Sequence, residues 1–455
     1  MNKTHIKDFT EGNVAKQLVV FASPLFLANL LQVLYSTVDM VIVGQVLGKA
    51  GISAVSVGGD VSHLLTFIAM GFSSAGQVLI AKYVGEGRRD KLGKFVGTMT
   101  FFLLVSAIVM SVLGGIFRHQ LLDLMNTPQE AYDGALAYSV ISMAGLVFIY
   151  GYNTVSAILR GMGDSKHPFI FIGIAAVMNL ILDVILVMCC NMGCAGAALA
   201  TVASQAVSFI LCTLFLIRRR LEFSLLATVR DFIKPDRELL LDLVKLGTPM
   251  AIKMAAIQFS KLFVNAWING YGVAVSAFSG IANKLASFAI LISNAMNTAG
   301  STMVSQNIAA KKYGRVKKIL FHLAVITLAT ALIFSVLIIL FPTEIFGLFM
   351  GNEDNAADVL ALAPAFVPIA ILLFLASALR AVMNALINGS GNYKINFVTA
   401  ILDGIVLRIG LSLLFGLGLG MAHYGFWLGD ALAGFTPFFI GLVFYFTGLW
   451  KKKAK

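Results

Sequence analysis

The stretch PFIFIGIAAVMNLILDVILVMCCNM, residues 168–192, decides the fold class of this chain. It contains a single charged side chain, Asp183. A helix that crosses the hydrocarbon core of a bilayer needs about 20 mostly apolar residues, so this segment predicts a membrane-spanning helix. The whole chain fits that class, since 59% of its 455 residues are hydrophobic and only 12% are charged. A soluble domain carries about 25% charged residues.

Apolar segments of this kind recur along the chain, and their number predicts twelve transmembrane helices. The segments fall near residues 14–47, 51–83, 94–117, 134–158, 168–192, 195–217, 244–270, 273–309, 316–341, 357–388, 395–419 and 424–449. Several of them are longer than a perpendicular crossing requires, which predicts helices that are tilted, bent or extended beyond the membrane.

Lys and Arg residues are unevenly distributed over the loops between these segments. If both termini face the cytoplasm, 26 of the 34 Lys and Arg residues lie in cytoplasmic loops or tails, Arg160 among them, and only Lys49 and Arg118 lie in outer loops. Such an excess of positive charge is typical of cytoplasmic loops. This distribution predicts a multi-pass protein of a bacterial inner (plasma) membrane with both termini in the cytoplasm, and it accounts for the net charge of +12. Its basic side chains would contact anionic lipid and not nucleic acid.

The chain repeats itself with a shift of about 225 residues. GMGDSKHPF at 161–169 aligns with GSGNYKINF at 389–397, and AGQVLIAKYVGEGRR at 75–89 aligns with AGSTMVSQNIAAKKY at 299–313. Each repeat contains six predicted helices, so both repeats insert in the same orientation around an axis along the membrane normal.

The predicted architecture is all-α and integral to the membrane, with twelve helices in two pseudo-symmetric six-helix bundles. Residues 1–217 form the N-lobe, residues 218–243 a cytoplasmic linker, and residues 244–455 the C-lobe. A cavity between two such lobes is typical of a transporter that works by alternating access.

The N-lobe has acidic side chains at depths in the bilayer where a charged group is energetically costly. Asp39, Asp60 and Asp183 each fall within a predicted span, and an ionisable residue there is a candidate functional residue by default. The helical rise puts Asp39 and Asp183 level, about 12–13 Å below the outer ends of their helices. Asn179 precedes Asp183 by four residues and shares its helix face, and Thr201 reaches a depth of about 9 Å.

Two carboxylates, an amide oxygen and a hydroxyl at one depth predict a cation site formed by Asp39, Asn179, Asp183 and Thr201. Hard oxygen ligands suit Na⁺, and two neighbouring buried carboxylates also favour the binding of one or two protons. The alternative is that these groups only hydrogen-bond to one another and hold the lobe together.

No feature of the sequence other than its position within a span marks Asp60 as a functional residue. We expect no other metal site and no cofactor, because the four cysteines have no histidine near them in sequence.

The C-lobe does not repeat this site, since Asn265 stands where Asp39 would align. It instead carries several charged residues within predicted spans, namely Lys253, Lys261, Lys284, Arg380, Asp403, Arg408 and Asp430. One interpretation is that internal salt bridges brace the lobe. The other is that surplus cations, with Lys253, Lys261 and Arg380 as the candidates, line the substrate cavity and favour an anionic or zwitterionic substrate.

Several of these motifs resemble those of the multidrug and toxic compound extrusion (MATE) transporters. They are the Pro-containing first helix, GMGDSKHPF before helix 5, NLILD within it and GAALAT opening helix 6. The resemblance covers nearly the whole chain. Asp39, Asn179, Asp183 and Thr201 look like the N-lobe cation site of the DinF-type branch in particular.

Within this resemblance, Gln32 and Tyr138 correspond to polar partners of the cation site. Pro24 corresponds to the proline at which helix 1 is proposed to bend when the site is protonated. The NorM-type branch uses acidic residues in helices 7 and 10, where this chain has basic ones, so we expect no ion site in the C-lobe.

The resemblance implies a monomeric exporter of small organic compounds that is driven by entering Na⁺ or H⁺. The chain has no GxxxxGK[ST], HExxH or GxSxG motif, so neither an ATP-driven pump nor an enzyme is indicated. The alternatives are a flippase for a lipid-linked or amphiphilic substrate, an exporter of an anionic or zwitterionic metabolite, and a receptor that transports nothing. A receptor gives no reason for level carboxylates within the membrane.

Overall fold

A computed structural model of the chain describes residues 6–125, 127–223, 225, 228–348 and 356–451. Every regular element in this part of the chain is helical, which confirms the predicted all-α class. The ends of the predicted cytoplasmic tails, residues 1–5 and 452–455, lie outside the described residues, as do residues 224, 226 and 227 of the predicted linker.

The helices are numbered here in chain order. The first half contains α1 (Val14–Gly85), α2 (Arg89–Ile116), α3 (Arg118–Leu124), α4 (Gln129–Ala144), α5 (Leu146–Gly161), α6 (Lys166–Asp183), α7 (Gly193–Arg218) and α8 (Val229–Ile233). The second half contains α9 (Arg237–Asn269), α10 (Val273–Ala309), α11 (Tyr313–Leu340), α12 (Pro342–Gly347), α13 (Ala356–Leu360), α14 (Ala363–Gly389), α15 (Tyr393–Ile401), α16 (Leu407–Leu413), α17 (Ala422–Ala433) and α18 (Thr436–Phe446). Three π-helical segments continue these helices, at Val184–Cys189, Leu402–Val406 and Leu414–Gly418.

Nine of the described helices are long and apolar enough to cross a membrane, or ten when the bent pair of α4 and α5 counts as one span. Helix α1 has 72 residues and is about 108 Å long, so it supplies two crossings of a hydrocarbon core that is about 30 Å thick. Helix α9 has 33 residues and is long enough as well, but Lys245, Lys253 and Lys261 make it less apolar. With α1 counted twice and α9 included, the described helices account for the twelve predicted spans.

The two spans within α1 are separated at Gly48. This residue has φ 64° and ψ −156°, outside the helical region, in the middle of an otherwise continuous helix. A positive φ favours glycine because a Cβ atom clashes with the backbone there. Gly48 therefore lets the chain turn between two helices with no separate loop.

Gly48→Ala is expected to cost about 1–3 kcal/mol of stability, since this combination of φ and ψ is essentially restricted to glycine. The matched control is Gly59→Ala in the same helix, where an added Cβ meets no atom within 4 Å and φ is not positive. Thermal unfolding of the two purified variants in one detergent measures the difference. Equal stability of the two variants would contradict a strained turn at Gly48.

The fourth predicted span is not straight. Helices α4 and α5 meet at 50° across Gly145. A Cβ atom at Gly145 would lie 2.4 Å from Val202 Cγ2 of α7, so only glycine permits this close approach. The bend thus lies at a glycine where the chain approaches α7 closely, and glycine is a common site of helix kinks.

The described residues form two compact units. Unit 1 contains Ser23–Ala251 together with described residues before Phe9, and unit 2 contains Phe9–Ala22 and described residues from Ile252 onwards. Helix α1 thus passes from unit 2 into unit 1, and α9 passes from unit 1 into unit 2. The lobe and linker boundaries at residues 217 and 243 stay a prediction.

Part of the predicted linker packs within unit 1. Thr228 and Asp231 form a reciprocal cap at the start of α8, and the Asp236 backbone N–H donates a 3.1 Å hydrogen bond to Thr98 Oγ1 of α2. The hydrogen bonds from the Thr228 backbone N–H and hydroxyl lower the pKa of Asp231. These contacts hold the chain between α7 and α9 against α2.

A short segment before α1 packs within unit 2. The Arg315 guanidinium donates hydrogen bonds to the backbone carbonyls of Phe9 at 2.8 Å, Glu11 at 2.6 Å and Gly12 at 2.7 Å. The Phe9 backbone N–H donates to Gln306 Oε1 at 3.0 Å. These bonds explain why the start of α1 clusters with α10 and α11.

Candidate cation site

Three helices of unit 1 each contribute two polar residues spaced four positions apart. The pairs are Tyr35 and Asp39 on α1, Asn179 and Asp183 on α6, and Thr201 and Gln205 on α7. Residues at this spacing lie on one helix face. Asp183 is the last residue of α6 before a π-helical segment, and such segments are frequent at functional sites.

The structure brings the two predicted carboxylates together. The Asp39 and Asp183 carboxyl groups are direct neighbours, and the Thr201 hydroxyl lies beside Asp39. Asp39 is 7% exposed and Asp183 only 1%. Asn179 is 2% exposed and lies one helical turn before Asp183.

Five polar atoms of this cluster are buried without a hydrogen-bond partner among the described residues. They are Asp39 Oδ1, Asp183 Oδ1, Thr201 Oγ1, and both Oδ1 and Nδ2 of Asn179. Buried polar atoms in native proteins are nearly always hydrogen-bonded, because an unpaired one costs free energy. Four of these five atoms are oxygens, so the donor set fits a bound Na⁺ or added protons.

Two tyrosines and a glutamine surround the cluster. Tyr138, a predicted polar partner, lies near the Thr201 hydroxyl and near Asp39. Tyr35 interacts with Gln205 and also lies near Asp39. The sequence reasoning missed Tyr35 and Gln205, although each is four residues from a predicted site residue and so lies on the same helix face.

Three other residues singled out in the first half lie apart from these contacts. The Gln32 and Asp60 side chains are exposed on α1. Pro24 lies inside α1, whose described backbone departs from helical dihedral angles at Gly48. Bending at Pro24 therefore stays a prediction.

The charged residues of unit 2 form a network of ion pairs. Arg380 Nη2 lies 2.6 Å from Asp403 Oδ1, and Arg408 Nη2 lies 3.2 Å from the same oxygen. Arg408 also pairs with Asp430 through Nη1. Asp403 is fully buried and Arg408 is 3% exposed. These bonds match the interpretation in which salt bridges brace the C-lobe, and they neutralise the Arg380 charge.

The lysines of unit 2 are less well neutralised. Lys253 Nζ donates a 2.6 Å hydrogen bond to Asn384 Oδ1, a neutral amide. Lys261 lies near Asp430, whose carboxylate already pairs with Arg408. Lys284 is exposed. The two carboxylates of this network thus lie among two arginines and two lysines, Lys253 and Lys261. The excess positive charge is carried by the lysines.

The described residues contain no group of three His, Cys, Asp or Glu residues that could hold a metal ion. All four cysteines are free thiols. A Na⁺ ion at the candidate site would therefore depend on the amide and hydroxyl oxygens of Asn179 and Thr201 as well as on the carboxylates.

Comparison with known proteins identifies the family. The family model MatE matches residues 24–185 and again residues 249–414. The chain belongs to the MatE family. The resemblance to MATE transporters is thereby confirmed, while membership of the DinF-type branch stays a prediction. The two matches begin 225 residues apart, which is the predicted shift of the internal repeat.

Relatives of this MatE chain match it almost from end to end. The probable multidrug resistance protein YoeA of Bacillus subtilis (strain 168) is 27% identical over 448 residues, which cover 98% of this chain and 96% of that protein. A MOP superfamily transporter from Pyrococcus furiosus has a similar structure, with a TM-score of 0.89 at 20% identity, over 99% of this chain and 100% of that one.

An outward-facing multidrug resistance MATE family transporter is equally similar in structure. Its TM-score is 0.89 at 21% identity, over 99% of this chain and 100% of that chain. At these identities the solved structures show a shared fold and nothing more. That fold confirms the predicted fold class, an all-α membrane protein with two helical bundles.

Proposed function

We propose that this MatE-family protein is a secondary active exporter that exchanges small organic compounds for Na⁺ or H⁺. The buried cluster of Asp39, Asn179, Asp183 and Thr201 carries the proposal, because its unpartnered oxygens suit a cation or protons. The name of the relative YoeA supports a multidrug substrate range. We further propose a monomer in a bacterial inner membrane with both termini in the cytoplasm, as the distribution of Lys and Arg favours.

The coupling follows from the charge of the carboxylate pair. When Asp39 and Asp183 are both ionised, two like charges oppose each other in a buried site, and binding of Na⁺ or protons relieves that repulsion. Asp39 lies on the same helix as Pro24, so the relief would favour a bend of α1 at that proline. Ion binding would then weaken substrate binding, and substrate binding would weaken ion binding by the same factor.

Access to the sites would alternate between the two sides of the membrane. Substrate would enter from the cytoplasm and leave to the outside, and the ion would travel in the opposite direction. Antiport of this kind needs no ATP and no cofactor, since the ion gradient supplies the free energy.

A second candidate is the export of an anionic or zwitterionic metabolite. The surplus of cations in unit 2 favours it, because among the described residues Lys253 has only a neutral amide as its hydrogen-bond partner. Cationic groups near a binding site repel a cationic substrate and attract an anionic one. The solved Pyrococcus furiosus transporter is itself described as having a binding pocket whose reverse polarity suggests a different function.

Everted membrane vesicles test both candidates, because export moves substrate into their lumen. The lumen is loaded either with Na⁺ or with acid, and uptake of fluorescent organic cations and anions is recorded separately. We expect concentrative uptake under one of the two gradients, which names the coupling ion. Uptake of cations supports the multidrug exporter, and uptake of anions alone supports the second candidate.

Vesicles without the protein, and vesicles with a collapsed gradient, are the controls. If neither kind of probe accumulates under either gradient, the antiport proposal is wrong. Translocation of a labelled lipid would then be measured, because a flippase for an amphiphilic substrate is the remaining alternative.

A further inference from the structure

Unit 1 contains a half-buried arginine, Arg160, that has no anionic partner among the described residues. Arg160 lies at the end of α5, and its Nε atom is buried with no hydrogen-bond partner among the described residues. The arginines of unit 2 differ, since Arg380 and Arg408 both pair with Asp403. Buried polar atoms in native proteins are nearly always hydrogen-bonded, so the unpaired Nε atom of Arg160 needs a partner.

The groups next to Arg160 are hydrogen-bond donors. Tyr152, Ser156 and Arg160 are spaced four residues apart and lie on one face of α5. Cys212 of α7 lies beside Arg160 and Ser156. Ser156 is 1% exposed, and its hydroxyl has no hydrogen-bond partner within the described part of the chain. The Tyr152 hydroxyl already donates to the Pro168 carbonyl at 3.1 Å.

Helices α5 and α7 enclose these groups because they pack closely and run in parallel. A Cβ atom at Gly145 would lie 2.4 Å from Val202, and one at Gly151 would lie 2.6 Å from Phe209. Both residues of the second pair lie further along their helices than those of the first pair. The two helices therefore run in the same direction. Ser156 and Cys212 are neighbours further along the same two helices.

The nearest acidic residue along the chain is already engaged. Asp164 accepts hydrogen bonds from the backbone N–H groups of Lys166 at 3.1 Å and His167 at 3.2 Å, and it pairs with His167 Nδ1 at 2.5 Å. Burial alone would raise the pKa of Asp164, but these bonds and the charge of Lys7 lower it. Asp164 is therefore an ionised carboxylate with its own partners, and it does not neutralise Arg160.

We propose that Arg160 and Ser156, with Cys212 beside them, bind an anion between α5 and α7. The ligand is either a small inorganic anion of the chloride class or the phosphate of an anionic lipid, since both accept hydrogen bonds from guanidinium and hydroxyl donors. Arg160 lies at the end of unit 1 that is predicted to face the cytoplasm, where anionic lipid headgroups are found. The site is separate from the carboxylate pair and does not depend on the proposed transport function.

Anion-dependent stability of the purified full-length protein tests this site. The midpoint of thermal unfolding is recorded while chloride replaces gluconate at constant ionic strength. In a second series, phosphatidylglycerol or phosphatidylcholine is added to the detergent. A ligand that binds only the folded state raises the midpoint in a saturable way, which gives an apparent Kd. Stabilisation by chloride identifies a free anion, and stabilisation by phosphatidylglycerol alone identifies a lipid phosphate.

Arg160→Gln is expected to weaken the apparent Kd by at least about tenfold, because a charge-assisted hydrogen bond is lost. Ser156→Ala provides a second measurement if Arg160→Gln does not fold, and we expect a loss of about tenfold there as well. Arg219→Gln is the matched control, since Arg219 is exposed and pairs with Glu222 at 2.7 Å. It should leave the apparent Kd unchanged.

The proposal is wrong if neither chloride nor phosphatidylglycerol stabilises the wild-type protein. It is also wrong if Arg160→Gln and Ser156→Ala retain the wild-type response. Neither readout requires transport, so a failure of the exporter proposal would leave this result intact.

Discussion

Asp39→Asn is expected to abolish the coupling between ion binding and substrate binding. Asparagine keeps the size of the side chain but cannot be charged, so the pair with Asp183 loses the repulsion that ion binding relieves. In the wild-type protein, saturating ion should weaken substrate affinity by about 5- to 150-fold, the usual range of coupling between two sites. In the variant this factor should fall to about one, with the protein still folded.

Titration of a fluorescent substrate into purified protein, with and without saturating Na⁺ and at acidic and alkaline pH, measures this factor. Asp60→Asn is the matched control, because Asp60 lies on the same helix and is exposed. Asp183→Asn should resemble Asp39→Asn, and the double variant should be no worse than either single one, since the two carboxylates act as a unit. Coupling that survives in Asp39→Asn would exclude this cluster as the coupling site.

Asp403→Asn is expected to be the most destabilising single substitution in the charged network of unit 2. Asp403 is fully buried and faces both Arg380 and Arg408. Removing its negative charge leaves the positive charges of two guanidinium groups less well neutralised. Breaking a buried ion pair costs about 3–5 kcal/mol. The loss should appear as a lower unfolding midpoint in detergent and as reduced yield of folded protein.

The control for Asp403→Asn is Glu222→Gln, which breaks the exposed pair with Arg219. A surface ion pair contributes at most about 1 kcal/mol, so this variant should unfold close to the wild type. If Asp403→Asn is as stable as Glu222→Gln, the network does not brace unit 2. Arg380 would then be a candidate for substrate contact, as the sequence also allowed.

Much of the candidate site could be predicted from the sequence because depth in a membrane helix follows from counting residues. The rise per residue put Asp39 and Asp183 level before their side chains were located, and the structure places the two carboxyl groups next to each other. Tyr35 and Gln205 were missed for a different reason. Each is polar but uncharged, so neither stood out from the apolar segments in the way that a carboxylate does.

The roles of the basic residues could not be predicted in the same way. Whether Arg380 braces the C-lobe or faces a cavity depends on which side chain of a neighbouring helix it meets, and Asp403 is 23 residues away in sequence. Arg160 was assigned to a cytoplasmic loop by its position at the end of a span. The structure places it within α5 and buries its Nε atom.

The sequence by itself determined the membrane class, the twelve spans, the repeat and the level carboxylates. Each of these depends on hydrophobicity, charge and helical rise, which are properties of one segment at a time. Only the tertiary structure decided the turn at Gly48, the bend at Gly145, the partners of Arg380 and the buried, unpaired Nε atom of Arg160. These depend on contacts between helices that are far apart in the chain, and such contacts are set by side-chain packing, which a single sequence does not specify.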